Sequence, residues 1–63
     1  MNFNELKERS KMSTLQLATY FEIPYRTVAH WASGSRTCPT YLLDLMEYKL
    51  IKEGIIKNEN ENN

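Results

Sequence analysis

Residues 13 to 34 read Ser-Thr-Leu-Gln-Leu-Ala-Thr-Tyr-Phe-Glu-Ile-Pro-Tyr-Arg-Thr-Val-Ala-His-Trp-Ala-Ser-Gly. Leu17, Ala18 and Phe21 fall on one face of a helix, and Val28 and Trp31 fall on one face of the next. Ser13 and Gln16 form a capping box, so the first helix is expected to run from there to about Phe21. Pro24 suits the start of the second, because its missing N–H and fixed φ cost nothing there. That helix is expected to end near Ser33, with Gly34 just past its end. Only Glu22 and Ile23 stand between the two. So short a link forces a large crossing angle instead of an antiparallel hairpin. Ala18 is small enough to allow close crossing.

Two helices joined in this way make a helix-turn-helix unit, whose use is to push its second helix into the major groove of DNA. The rest of the chain extends it at both ends. Asn2 with Glu5 predicts a helix over about Phe3 to Ser10. After a polar loop, Ser35-Arg36-Thr37-Cys38, Pro39 predicts a fourth helix that stops at Gly54. No repeat and no β pattern is visible. The expected fold class is all-α: one small four-helix domain over residues 1 to 56. A polar tail over 57 to 63 has too few apolar groups to pack and is expected to be disordered.

Core candidates are Phe3, Leu6, Met12, Leu17, Phe21, Ile23, Val28, Leu42, Leu45 and Met46. Trp31 is expected as a lid on the core and Cys38 as a small buried filler. Leu15 and Tyr20 are expected on the surface. The fourth helix has more apolar residues than one stripe needs. Either it covers the whole floor of the domain, or Leu43, Leu50, Ile51, Ile55 and Ile56 form a dimer interface. A chain of 63 residues buries only ~60% of its unfolded surface, which favours self-association.

Composition sets further bounds. The formal net charge is zero. Residues 1 to 39 carry five cations against three anions, and residues 40 to 63 carry three against five. The mildly basic part is therefore the part that holds the helix pair. Non-specific affinity for DNA is expected to be weak, because it scales with the phosphates neutralised. With one cysteine, no intrachain disulfide and no zinc set can form. No apolar run approaches the ~20 residues of a membrane span. The start, Met-Asn-Phe-Asn-Glu, lacks the regions of a signal peptide, so a cytoplasmic protein without membrane partners is expected.

From Met12 to Pro39 the chain resembles the lambda-repressor/Cro-like helix-turn-helix family, also called the XRE family. The residues that carry the resemblance are Met12, Leu17, Ala18, Phe21, Ile23, Val28, Trp31, Gly34, Arg36 and Pro39. With the outer helices it covers about residues 2 to 53. The chain departs from the family at three places. Glu22 stands where a turn glycine is usual, Thr14 where a glutamine often opens the second helix, and Ala32 where a glutamate is frequent.

The resemblance implies that Tyr25, Arg26, Thr27, Ala29 and His30 reach base edges. Arg26 is the strongest candidate, since its fork matches guanine O6 and N7. It implies phosphate contacts from Ser13 and Thr14, at a helix start, and from Ser33, Ser35, Arg36 and Thr37 in the loop. Among the loop residues only Arg36 stands out by charge. A lone histidine is neither a metal site nor a catalytic base. No nucleophile-base set or phosphate loop is visible, so no enzyme, metal or cofactor is expected. The expected function is a sequence-specific regulator of transcription, a homodimeric repressor on a palindromic double-stranded operator. The alternative is a protein-binding module on the same scaffold, such as an antitoxin or a phage-encoded inhibitor of a nuclease.

Overall fold

Local stop signals divide the chain into its helices. A computed structural model describes residues 1–57. It contains α1 (Phe3–Ser10), α2 (Thr14–Phe21), α3 (Tyr25–Ser33) and α4 (Thr40–Lys52), and no strand among the described residues. Apart from Lys57, the expected polar tail lies outside the described residues.

The two capping boxes form as expected. Glu5 N–H donates to Asn2 Oδ1 at 2.9 Å, and Asn2 N–H donates back to Glu5 Oε1 at 3.0 Å. Gln16 N–H donates to Ser13 Oγ at 3.1 Å, and Ser13 N–H to Gln16 Oε1 at 2.8 Å. Each box satisfies donors that a helix start otherwise leaves open. Pro24 and Pro39 are the cap residues of α3 and α4, one place before the first helical residue.

α2 ends on Glu22, which adopts the left-handed conformation with φ 57°. Glu22 N–H then reaches Thr19 O at 3.3 Å, and Ile23 N–H reaches Ala18 O at 2.9 Å. This pair of bonds closes the helix and turns the chain within three residues into α3. An L-residue carries strain of about 1–2 kcal/mol in that conformation. α4 is closed in the same way at Gly54, φ 78°, where the absent Cβ removes the strain. There Ile55 N–H donates to Leu50 O at 2.9 Å, and the chain folds back.

The core gathers Phe3 and Leu6 from α1, Leu17 and Ala18 from α2, Val28 and Trp31 from α3, and Leu43, Met46 and Leu50 from α4. Cys38 and Ile56 complete it. Phe3 and Trp31 meet with ring centroids 5.6 Å apart, which fixes α1 over α3. Cys38 is a buried filler as expected, and burial pushes its thiol pKa up. Met12, Phe21, Ile23 and Leu42 are partly buried against this core.

α4 is turned relative to the expectation. Leu45, expected in the core, is 60% exposed. Leu43, Leu50 and Ile56, expected at a dimer interface, are buried within the single chain, and Ile51 and Ile55 are partly buried against the same core. The reason is periodicity. Leu43, Met46 and Leu50 make one continuous stripe along the whole helix, and the turn at Gly54 returns Ile56 beneath it.

Side chains tie the ends together. Arg9 Nη1 pairs with Glu47 Oε2 at 2.8 Å, and Arg9 Nη2 donates to Lys57 O at 2.9 Å. Tyr20, expected on the surface, is half-buried. Its hydroxyl donates to Glu53 Oε1 at 2.5 Å, and Lys49 Nζ stands 4.9 Å from its ring centroid. Partial desolvation, with the Glu53 carboxylate beside it, pushes the phenol up to about 12.

Three outcomes are expected. Glu22→Gly relieves left-handed strain and removes a negative charge from a helix C-terminus. It should stabilise the chain by about 1 kcal/mol after the entropy of glycine is set against it. Thermal unfolding should show the melting point up by about 4–8 °C, and a drop would contradict the strained turn. Leu50→Ala removes a fully buried side chain and should cost about 2–5 kcal/mol, read by circular dichroism on heating. The raised Tyr20 pKa adds stability that is complete below pH 10 and is lost as the pH rises to about 12. Tyr20→Phe should therefore flatten the pH dependence of urea midpoints across that window.

Candidate nucleic-acid interface

α3 has a fixed inner face and an open outer one. Val28 and Trp31, three residues apart, are held in the core. The side of the helix opposite them carries Arg26, Ala29, His30 and Ser33. α3 contains no aspartate or glutamate. Of the residues expected to read bases, Tyr25 and Arg26 are exposed, and Thr27, Ala29 and His30 are half-buried. Thr27 precedes Val28 and sits on the flank toward the core, so it presents less surface than its position in the first turn suggests. Arg26 is the most accessible cation of the helix.

The loop after α3 is built on the last turn of that helix. Ser33 Oγ donates to His30 O at 3.2 Å and shares a hydrogen bond with Ser35 Oγ at 2.9 Å. Ser35 N–H reaches Ser33 Oγ at 3.3 Å. Arg36 N–H donates to His30 O at 3.2 Å, so the Arg36 backbone is fixed to α3 while its side chain stays exposed. Gly34, with φ 87°, makes this return possible. Ser33, Ser35, Arg36 and Thr37 are all exposed. The two serine hydroxyls are engaged with each other and with the helix end, which makes them builders of the loop first.

At the start of α2, Ser13 is exposed and Thr14 half-buried. The Ser13 hydroxyl oxygen already accepts from Gln16, so what it has left to offer a ligand is its O–H. Lys11 stands two residues before it, exposed, in a left-handed cap with φ 60°. Glu22 is exposed in the turn that leads into α3. Arg26, Arg36 and Lys11 are thus the cations close in sequence to the candidate surface, and Glu22 is the one acid in the link.

Two residues outside the expected set position this surface. Asn4 Nδ2 donates to Ala32 O at 3.1 Å and holds the end of α3 to α1. Ile23 carries the backbone bond that closes α2. Ile23 was legible as an apolar residue after a helix end. Asn4 had no sequence signal, because its partner is a carbonyl 28 residues away.

The chain was compared with protein-family models, with curated proteins and with solved structures, and it matches none of them.

Proposed function

We propose that the chain is a sequence-specific double-stranded DNA-binding regulator of the lambda-repressor/Cro-like type. It acts in the cytoplasm as a homodimeric repressor that inserts α3 in successive major grooves of a palindromic operator. The observation that carries this reading is the outer face of α3. It bears Arg26 and no acidic residue, with Tyr25 exposed on its flank, while the opposite face is anchored in the core. A helix so anchored presents a rigid edge, as base readout requires. One such helix reads too few base pairs to find a site alone, so two copies spaced ~34 Å apart on one side of the duplex are needed. The mechanism is steric: the bound dimer covers the promoter.

The second reading, a protein-binding module, draws on one observation. Among the exposed large apolar residues, Leu15, Tyr41, Leu45 and Tyr48 lie on helices other than α3, while Tyr25 lies on α3. Salt separates the two readings. Binding of labelled random duplex DNA should be measurable at low salt and fall steeply as salt rises. Arg26→Ala should cost about 1–3 kcal/mol on the selected site and relax preference at one base pair. Arg36→Ala should weaken all sequences alike and lower the salt slope by about one. Selection of bound sequences from a random duplex pool, repeated with each variant, checks this. If Arg26→Ala alters neither affinity nor the selected sequence, α3 does not read DNA.

A further inference from the structure

The side of α4 turned away from the core carries Tyr41, Leu45, Tyr48 and Lys52. Spacings of four, three and four residues align them in one stripe along the helix. Tyr41 is 70% exposed, Leu45 60% and Tyr48 62%. Lys52 Nζ lies 5.8 Å from the Tyr48 ring centroid, so the cation already rests on an aromatic face. Exposed aromatic and apolar side chains in a continuous row mark a contact surface more often than plain solvent exposure.

The order of residues along the stripe says what covers it. Reversed on itself about a point between Met46 and Glu47, the stripe is complementary to itself. Leu45 then meets the partner's Tyr48, and Lys52 meets the partner's Tyr41. A parallel pairing would instead set lysine against lysine. Antiparallel helices also place opposite dipole ends together. Two tyrosines and a leucine from each copy, with the lysine stems, bury roughly 1,000 Å² in all, the lower end for a specific interface.

We propose that α4 pairs with α4 of a second copy, antiparallel about a two-fold axis, through Tyr41, Leu45, Tyr48 and Lys52. This rests on the homodimer part of the reading above and is independent of whether α3 reads DNA. The dimer is weak and concentration-dependent.

Sedimentation equilibrium of the full chain without DNA tests the pairing. The unaltered chain should show a reversible monomer–dimer equilibrium. Leu45→Lys alone and Tyr48→Glu alone should each weaken it at least roughly tenfold. Each replaces apolar area at the centre of the contact by a charge that must lose water on pairing, whereas Lys52 sits at the solvated end of the stripe. Both sites are exposed, so circular dichroism should show both variants folded. Mixed together, the two variants should form a heterodimer, since the new lysine of one faces the new glutamate of the other. Three results would overturn the proposal: an unaltered chain that stays monomeric at the highest soluble concentration, a dimer indifferent to both substitutions, or a mixture that fails to pair. Failure of the DNA reading shows instead in Arg26→Ala, with sedimentation unchanged.

Discussion

Between Phe21 and Tyr25 the backbone has three residues in which to leave one helix and enter the next. Glu22 must then take the left-handed conformation, and the Ile23 N–H must return to Ala18. That return bond sets the crossing of α2 over α3, and the crossing leaves Val28 and Trp31 facing inward. α1 and α4 then pack around a pair whose geometry the turn has already decided. A glutamate holds a conformation that glycine would adopt with less strain. The surrounding contacts are strong enough to impose it.

The second constraint is the orientation of α4. Its core stripe, Leu43, Met46 and Leu50, is matched on the far side by Tyr41, Leu45 and Tyr48. A helix apolar on two opposite faces has more than one way to sit. What decides is the turn at Gly54, which brings Ile55 and Ile56 back toward Leu50 and extends one stripe but not the other. The small domain thereby closes its own core and still leaves an apolar face outward. The association proposed for that face can therefore be tested by substitutions that leave the core intact.

Much of the fold was readable from local signals, and the failures are equally physical. Asn2 with Glu5 and Ser13 with Gln16 place two helix starts, because a capping box is a contact over three residues. Gly34 and Gly54 mark ends for the same reason. The rotation of α4 was not readable, since Leu42, Leu45 and Met46 fit helical spacing as well as Leu43, Met46 and Leu50 do. The half-burial of Tyr20 has no local signal, because its partner, Glu53, lies 33 residues away. On the candidate surface, Arg26 and Arg36 are exposed where an outward-facing cation was expected, while Thr27 is partly covered by its nearness to Val28. Whether the exposed groups meet DNA is a matter of contact with another molecule, which no intrachain pattern encodes.

The clasp at Arg9 has a consequence for the order in which the chain assembles. Its bond to Lys57 O spans 48 residues, and the Asn4 bond to Ala32 spans 28. The bonds that close α2 span five residues or fewer. Loop-closure entropy must be met before a distant contact contributes, so short-range structure leads and long-range ties follow. The α2–α3 pair is the natural nucleus, and α1 joins it through Phe3 and Asn4. The turn at Gly54 is short-range and closes with α4, so the tie from Arg9 to Lys57 is the contact expected to form last. Release in the native state runs the other way. By the same reasoning the tie from Arg9 to Lys57 is expected to be the first to open, and α3, which it does not touch, is expected to stay in place.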